Sequence, residues 1–322
     1  MRAMIHTERL TKRFKQGKNT VDAVVDVELD VAEGGLVALL GPNGAGKSTT
    51  LRMLTTLLAP TSGRASVAGF DVTTDRDEVR RRIGYVGQGS GAGHNQRVRD
   101  ELVTQGLCYD MSKAASAARA DELLDALDLA DLATRKVSTL SGGQRRRLDI
   151  ALGLVHRPPL LFLDEPTTGM DPQSRANLWE HILRLRAQMG TTIVLTTHYL
   201  EEADAMAERV IVIDRGTVIA DDTASALKSE LAGDLLTIGF DDPASAARAV
   251  DLAATLVTVR DVTMAGAVIR VRTSEGDAAL PGLLRAAEGS GLRVATAEIA
   301  RPTLDDVFLG LTGRSLRETA AA

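Results

Sequence analysis

The sequence is poor in cysteine and has no long apolar run. Cys108 is its only cysteine, so no internal disulfide can form, and this fits a reducing compartment. No stretch approaches the ~18 uninterrupted apolar residues of a membrane-spanning helix. The N-terminal run carries Arg2, Glu8 and Arg9 where a signal peptide needs an apolar core. We therefore expect a chain that neither spans a membrane nor is secreted by way of a signal peptide.

An excess of positive charge is also missing. The 322 residues include 38 Lys and Arg against 43 Asp and Glu, which gives a net charge of −5. Nothing global therefore favours nucleic acid, and we expect no nucleic-acid partner. The hydrophobic content of 44% and the charged content of 25% are those of a globular protein. The chain is about twice the usual length of a single domain, so we expect two domains.

Residues 1–222 are expected to form the larger domain, of the α/β class. Short apolar runs alternate there with longer segments of helical periodicity, which is typical of a mostly parallel sheet. The β signal vanishes after Val98, and a helical insert is expected over about residues 98–156. A tight hairpin around Asp214-Arg215-Gly216 is predicted near the end of this domain.

Residues 223–322 are expected to form a smaller α+β accessory domain. The patterns predict strand, helix, strand, strand, helix and strand, in that order, between Leu235 and Ile299. One of these strands is predicted over Leu256–Val262. The order βαββαβ is that of the ferredoxin-like fold. A short amphipathic helix is predicted over Thr303–Leu311.

A glycine-rich turn lies between a predicted strand, Leu36–Leu40, and a predicted helix, Lys47–Leu58. It matches the P-loop pattern G-x-x-x-x-G-K-[ST], in which backbone N–H groups surround phosphate oxygens at the start of a helix. Lys47 is expected to reach the β- and γ-phosphates, and the Ser48 hydroxyl is expected to ligate Mg²⁺. The predicted nucleotide-binding residues of the turn are Gly41, Pro42, Asn43, Gly44, Ala45, Gly46, Lys47, Ser48 and Thr49.

Two acids follow a second buried strand, Leu160–Leu163. Asp164 and Glu165 stand at the mouth of this strand, where unpaired acids are costly and a cation is the natural partner. Asp164 fits the acid on the Mg²⁺ side of a P-loop enzyme, and Glu165 is suited to polarise the attacking water.

A second anion site is predicted where Leu140-Ser-Gly-Gly-Gln precedes an arginine-rich helix. Ser141 is an N-cap candidate, and the two glycines that follow allow close backbone approach. This segment resembles the LSGGQ signature of the ATP-binding subunits of ABC transporters. The resemblance implies a P-loop NTPase fold of the ABC ATPase type, ATP hydrolysis, and a homodimer in which the signature of one copy closes over ATP held by the other. The signature residues are Ser141, Gly142, Gly143 and Gln144.

The resemblance also implies roles for further residues. Phe14 resembles the aromatic residue that stacks on adenine, and Gln88 matches the glutamine that meets Mg²⁺ or the water. Asp171 lies in a segment like the D-loop that crosses the dimer interface, and His198 matches the histidine that contacts the γ-phosphate. The expected catalytic residues are Glu165, His198, Lys47 and Gln88, and the expected metal ligands are Ser48, Gln88 and Asp164.

The loop around Gln88 departs from the family pattern. Gly87 stands where many family members carry proline, and further glycines follow between Ser90 and Gly93. An unusually flexible loop is therefore expected at this point.

The resemblance implies a partner in the membrane. An ATPase without membrane spans needs a separate polytopic subunit, which would make this chain a peripheral protein at the cytoplasmic face of the cell membrane. The tail Arg301–Leu309, with Thr312-Gly313-Arg314, resembles drug-resistance ATPases of the daunorubicin exporter type. It implies export of a drug or antibiotic-like compound. Export of lipid, polysaccharide or ions is an alternative, because related ATPases of similar layout serve such exporters.

Two hypotheses from other classes stay open on the sequence. A soluble ABC ATPase could act as a mechanical switch on nucleic acid or ribosomes, although such proteins generally carry two cassettes or long insertions. A P-loop kinase for a small molecule is a further hypothesis, in which the signature segment would have no purpose.

Overall fold

A computed structural model of the chain describes residues 3–17, 19–255 and 258–314. They form two compact units that divide between Asp221 and Asp222. The strands up to this division are β1 (Ala3–Gln16), β2 (Asn19–Ala32), β3 (Leu36–Leu40), β4 (Ser62–Val67), β5 (Phe70–Asp71), β6 (Ile83–Val86), β7 (Leu160–Asp164), β8 (Thr192–Thr197), β9 (Arg209–Asp214) and β10 (Thr217–Asp222). The helices are α1 (Lys47–Leu54), α2 (Arg76–Arg82), α3 (Val98–Cys108), α4 (Lys113–Ala126), α5 (Gly142–Leu154), α6 (Pro172–Met189) and α7 (Leu200–Met206).

A largely parallel sheet forms the centre of the first unit. Its strand order is β10-β9-β3-β8-β7-β6, in which β3 pairs in parallel with β8 and β9, and β7 with β6 and β8. Strands β3, β7 and β8 are buried along their whole length. The apolar runs that they contain are typical of a sheet that is covered on both faces. The predicted α/β class is confirmed. The carboxyl ends of these three strands meet at one edge, where ligands bind in such sheets.

A second sheet, which the sequence analysis does not predict, consists of antiparallel strands in the order β2-β1-β4-β5. Its two longest strands, β1 and β2, have 14 residues each. Their pairing contains several register shifts, and Arg9 and Asp26 have φ angles of 44° and 46°. Such bulges interrupt the alternation of apolar and polar residues by which a strand is recognised from sequence.

Helix α1 ends at Leu54, so its predicted extent to Leu58 is wrong. The side chain of Thr55 donates to the carbonyl oxygen of Leu51, and Thr56 has a left-handed φ of 64°. The left-handed residue turns the chain out of the helix. Farther along, the stretch of about residues 98–156, where a helical insert is predicted, contains helices α3, α4 and α5, with short 3₁₀ turns at Ala130–Leu132 and Val137–Thr139.

The elements of the second unit are α8 (Ala224–Leu227), a π-helical turn (Lys228–Ala232), β11 (Asp234–Phe240), α9 (Pro243–Ala254), β12 (Val259–Ala265), β13 (Val268–Thr273), α10 (Gly276–Gly289), β14 (Val294–Ala300) and α11 (Leu304–Thr312). From β11 to β14 they follow the predicted order βαββαβ. Its sheet has the order β12-β13-β11-β14 with antiparallel pairs, and helices α9 and α10 contribute to the core that covers one face of the sheet. Residues 256–257 of the predicted strand Leu256–Val262 lie outside the described residues. The ferredoxin-like classification itself stays a prediction.

Within the described ranges, no helix has both the length and the apolar character needed to cross a lipid bilayer.

Candidate functional site

The predicted phosphate-binding turn connects β3 to α1 and is tightly packed. Gly46 precedes α1 with a φ of 105°, and a Cβ at this position would lie 2.5 Å from the carbonyl oxygen of Ala23. A Cβ at Gly41 would clash with the carbonyl oxygen of Ile213. Both positions therefore require glycine, one for its backbone angle and for space, the other for space alone.

Lys47 lies at the base of this turn with 4% of its side chain exposed. Its Nζ donates to the carbonyl oxygens of Gly41 at 2.7 Å and Pro42 at 3.1 Å, and it lies 3.5 Å from Glu165 Oε1. Burial lowers the pKa of Lys47, although the nearby Glu165 opposes this effect. The turn encloses a cavity of about 390 Å³. Its lining consists of Ala23, residues 43–49, Gln88 and Glu165.

The acidic end of β7 lies against the start of α1. Asp164 is fully buried, and its Oδ1 accepts hydrogen bonds from Ser48 Oγ and Thr196 Oγ1, both at 2.7 Å. Gln88 Nε2 donates to Ser48 Oγ at 3.3 Å. Asp164 Oδ2 is buried without a hydrogen-bond partner among the residues that the structure describes. A buried carboxylate oxygen that lacks a donor is costly, and a bound cation would satisfy it.

Glu165 stands between two nitrogen groups at the mouth of the cavity. Its Oε1 faces Lys47, and its Oε2 lies 3.4 Å from His198 Nδ1 and accepts from Thr168 Oγ1 at 3.2 Å. The His198 contact has the distance of an ion pair but not the alignment of a hydrogen bond. His198, and then Lys47, lower the pKa of Glu165, against burial, which raises it. The carboxyl group is therefore ionised at neutral pH.

The backbone of Glu165 is strained. Its φ is 46°, in the left-handed region that residues with a Cβ seldom adopt, and its N–H donates to Thr196 Oγ1 at 2.9 Å. Strain of this kind persists only where the surroundings hold it, and it is frequent at functional sites. Here the bond to Thr196 holds the turn that presents the carboxylate to the cavity.

The predicted signature residues lie at the start of α5 and outside the cavity around Lys47. Ser141 and Gln144 form a capping box: Ser141 Oγ accepts from the Gln144 N–H at 3.3 Å, and the Ser141 N–H donates to Gln144 Oε1 at 2.9 Å. Gly142 lines a separate cavity of about 180 Å³, which Gln88 and Glu165 also line. Gly143 follows in the first turn of the same helix.

Phe14 and Asp171 also lie outside the cavity lining around Lys47. The ring of Phe14, on β1, is 38% exposed, with Lys12 Nζ 5.2 Å from its centroid. Asp171 caps α6 and accepts from the N–H of Ser174 at 2.9 Å and from its hydroxyl at 2.6 Å. Neither residue contributes to the described lining of that cavity.

Sequence reasoning missed several residues that organise the site. Thr196 joins Asp164 to the backbone of Glu165, and Thr168 bonds to the Glu165 carboxylate. Buried Glu202 accepts from the hydroxyls of Thr167 and Thr197, which neighbour the acidic turn and His198. The only signal in the sequence was the presence of threonines at the ends of the strands or just beyond them.

The strand, glycine-rich turn and helix around Lys47, with the acidic end of the neighbouring strand, define a P-loop nucleoside triphosphatase. The family model described as ABC transporter matches residues 24–168. The Daunorubicin resistance ATP-binding protein DrrA3 of Streptomyces coeruleorubidus is 43% identical, over 93% of this chain and 94% of that protein. The chain belongs to the family of ABC transporter ATP-binding proteins, as the LSGGQ resemblance indicates, and it hydrolyses ATP.

Other relatives and a solved structure agree with this assignment. The Daunorubicin/doxorubicin resistance ATP-binding protein DrrA of Streptomyces peucetius is 43% identical, over 98% of this chain and 96% of its own length. A Nod factor export ATP-binding protein I of Burkholderia lata is 37% identical, over 98% and 99%. The dimeric, post-hydrolysis structure of the ATP-binding cassette MJ0796 bound to ADP and Pi matches with a TM-score of 0.63 and 30% identity. That match covers 68% of this chain and 98% of the cassette.

Proposed function

We propose that this chain drives the export of a drug or antibiotic-like compound by hydrolysing ATP for a separate polytopic membrane subunit. Its location would be peripheral, at the cytoplasmic face of the cell membrane. The support comes from relatives named for daunorubicin resistance that match along nearly the whole chain. They favour a transporter over a switch on nucleic acid or ribosomes and over a kinase. The relative named for Nod factor export keeps a different exported compound as the second candidate.

The position of Glu165 carries the proposed mechanism. An ionised carboxylate at the mouth of the phosphate-loop cavity, between Lys47 and His198, is suited to take a proton from the water that attacks the γ-phosphate. Lys47 and the N–H groups of the loop would stabilise charge on the phosphates. Gln88 and His198 would orient the water and the γ-phosphate.

We assign the ATP-binding domain to residues 1–222 and the accessory domain to residues 223–322.

The residues at the acidic strand end fit Mg²⁺. Ser48, Gln88 and Asp164 supply oxygen ligands. Asp164 Oδ2, which has no hydrogen-bond partner in the described part of the chain, is the oxygen that most needs a cation. When bound, Mg²⁺ would neutralise charge on the β- and γ-phosphates. Asp164 would be one ligand of the ion. The hydroxyl of Ser48, a second ligand, donates a hydrogen bond to the same carboxylate.

We further propose that ATP binds between two copies of this chain in head-to-tail arrangement. The capped start of α5, with Ser141 and Gly142 exposed, offers N–H groups for an anion but is outside the lining of the cavity around Lys47. A two-fold dimer would bring this surface of one copy to the cavity of the other and so complete two identical sites. Gly143, Gln144 and Asp171 would then lie at the interface, and Phe14 would meet the adenine.

Replacement of Glu165 by glutamine tests the mechanism. Glu165→Gln keeps the size of the side chain and removes the base, so ATP binding should persist while turnover falls ~10²-fold or more. ATP should also hold the variant as a dimer, because the nucleotide is not consumed. Phosphate release would give the turnover, and light scattering after gel filtration with ATP would give the mass.

Glu180→Gln is the matched control, since this exposed glutamate of α6 is outside the lining of the described cavity. It should retain the turnover of the unaltered chain. Turnover in Glu165→Gln that equals that of Glu180→Gln would exclude Glu165 as the base.

Co-purification with the membrane subunit in detergent tests the transport assignment. The expected complex contains two copies of this chain.

A further inference from the structure

Gln88 lies in a loop, residues 87–93, in which four of the seven residues are glycine. Glycine has more backbone freedom than any other residue, so this composition predicts a flexible loop. The structure shows that side chains of helix α5 bond to the loop on both sides of Gln88.

Arg146 bonds to the loop upstream of Gln88. Its buried guanidinium donates to the carbonyl oxygen of Gly87 at 2.6 Å, of Pro166 at 2.7 Å and of Asp164 at 3.2 Å. Gly87 precedes Gln88, while Asp164 and Pro166 flank Glu165. The planar fork of an arginine holds several acceptors in one fixed geometry. One side chain therefore joins the backbone beside Gln88 to the backbone on either side of Glu165.

Asp149 bonds to the loop downstream of Gln88. Its Oδ1 accepts from the N–H groups of Gly91 at 2.9 Å and Ala92 at 3.3 Å, and from Ser90 Oγ at 3.4 Å. The side chain is 6% exposed. Burial raises the pKa of Asp149, while these hydrogen bonds and Arg146 oppose the rise. The three donors around one oxygen match a carboxylate, which only accepts hydrogen bonds.

The two side chains share one face of α5, because residues three apart in a helix are neighbours. The same helix begins at the signature segment. Its first turns therefore carry both the exposed anion-binding end and the two groups that bond to the loop of Gln88.

We propose that Arg146 and Asp149 are positioning residues of the ATPase reaction, which hold the glycine-rich loop so that Gln88 keeps a fixed relation to Glu165. The idea rests on the proposed roles of Gln88 and Glu165. The bonds to the two ends of the loop supply the rigidity that its glycine content removes. Arg146 sets the distance between the backbone beside Gln88 and the backbone around Glu165. Asp149 holds residues 90–92, downstream of Gln88, against helix α5.

Arg146→Lys tests the upstream restraint in the full chain. Lysine keeps the charge, but its compact ammonium group cannot reproduce the fork that reaches all three carbonyl oxygens. The kcat for ATP should fall about tenfold, because a small displacement of positioned groups slows the chemical step. The KM for ATP should change less than about twofold, because the phosphate-binding turn is untouched.

Arg147→Lys is the matched control for this variant. Arg147 is the next residue of the same helix, and it donates to the carbonyl oxygens of Leu127 and Asp128 in the helical insert. It makes the same kind of bond without touching the loop, so the control should retain the kcat of the unaltered chain.

Asp149→Ala tests the downstream restraint by hydrogen exchange. The amide protons of Gly91 and Ala92 should exchange about tenfold faster, because they lose their acceptor. Asp149→Asn keeps one acceptor oxygen and should restore part of the protection and part of the kcat. Asp234→Asn serves as control, since this buried carboxylate of the second unit also accepts from a backbone N–H, that of Gly276 at 2.9 Å.

A lower melting temperature in Arg146→Lys and Asp149→Ala, with kcat unchanged, would mark a purely structural pair and overturn the inference. Exchange at Gly91 and Ala92 that is no faster in Asp149→Ala than in Asp234→Asn would overturn it as well. The proposed function fails separately, if Glu165→Gln hydrolyses ATP as fast as the unaltered chain. Faster exchange together with a selective loss of kcat supports the positioning role.

Discussion

At the scale of single residues, His156 makes the stability of the first unit depend on pH. Its Nε2 donates to the carbonyl oxygen of Ile83 at 3.0 Å, and its ring stacks on Tyr109 with centroids 3.7 Å apart. Its Nδ1 is buried and has no hydrogen-bond partner among the described residues. Protonation would place a buried proton there without an acceptor. Burial accordingly lowers the pKa of His156 from 6.5 to about 4.

The unfolded chain therefore binds this proton more readily than the folded chain. The contribution to stability is complete above pH 6.5 and is lost as the pH falls toward the folded pKa of about 4. Allowing for partial screening by water, the loss between about pH 7.5 and about pH 5 should be about 1–2 kcal/mol.

Replacement of His156 by phenylalanine should remove this part of the pH dependence. His156→Phe keeps the stacking on Tyr109 and has no titrating group, although the lost bond to Ile83 costs about 1 kcal/mol at any pH. Urea unfolding at both pH values gives the difference. An equal fall in stability on acidification in variant and unaltered chain would exclude His156 as the source.

The residues of the site differ in how visible they are in the sequence. Lys47, Asp164 and Glu165 belong to contiguous patterns whose chemistry follows from their order. Thr196 cannot be recognised as a site residue from the sequence, because its hydrogen bonds to Asp164 and Glu165 depend on which strand lies beside β7. The positions of Phe14 and Asp171 relative to a nucleotide stay predictions.

At the scale of elements, two prolines of the second unit occupy opposite positions in their helices. Pro243 is the first residue of α9, behind the N-cap Asp242, where a missing N–H removes no helical bond. Pro281 lies inside α10. There it removes the bond to the carbonyl oxygen of Asp277, four residues earlier, and its ring crowds that turn.

The same substitution should therefore have opposite effects at the two positions. Pro281→Ala should stabilise the second unit by about 1–3 kcal/mol, because a helical hydrogen bond is regained. Pro243→Ala should be neutral or lower the stability by about 0.5 kcal/mol, because a residue already suited to the helix start is lost. Hydrogen exchange in α9 and α10 under mild denaturant measures both. Equal effects of the two substitutions would contradict this account of α10.

Elements with one clear period are the ones that sequence reasoning recognises. Strands β3, β7 and β8 each contain a short continuous apolar run, and the order of elements in the second unit follows from simple alternation. The sheet of β1, β2, β4 and β5 is not recognised, since bulges at Arg9 and Asp26 shift the alternation. The end of α1 is missed because Thr56 leaves the helix by its backbone angle alone.

At the scale of the whole molecule, the proposed dimer has two ATP sites, and each copy supplies one half of each site. Lys47→Ala would weaken ATP binding to the cavity of its own chain. Ser141→Arg would block only the surface that faces the partner's nucleotide. Each variant alone should be almost inactive. An equal mixture should recover about a quarter of the turnover, because half of the dimers would be mixed and each would have one intact site.

Phosphate release from the separate and mixed variants measures this recovery. A mixture of Lys47→Ala with Lys47→Asn is the control, and it should stay inactive in every combination. A mixture of Lys47→Ala and Ser141→Arg with no more activity than that control would contradict the proposal that the two copies share sites which turn over independently.

The sequence by itself predicted the phosphate-binding turn and the acidic strand end and determined the family, since these depend on neighbours along the chain and on the strand–turn–helix order. Only the tertiary structure decided which groups converge on them. Ser48 and Asp164 are 116 residues apart. They meet because β3, which leads through the turn to Ser48, and β7, which ends in Asp164, end at the same edge of the sheet. Arg146 and Asp149 reach the loop of Gln88 for a similar reason: hydrogen bonds depend on distance and direction in space, which strand order and helix packing set.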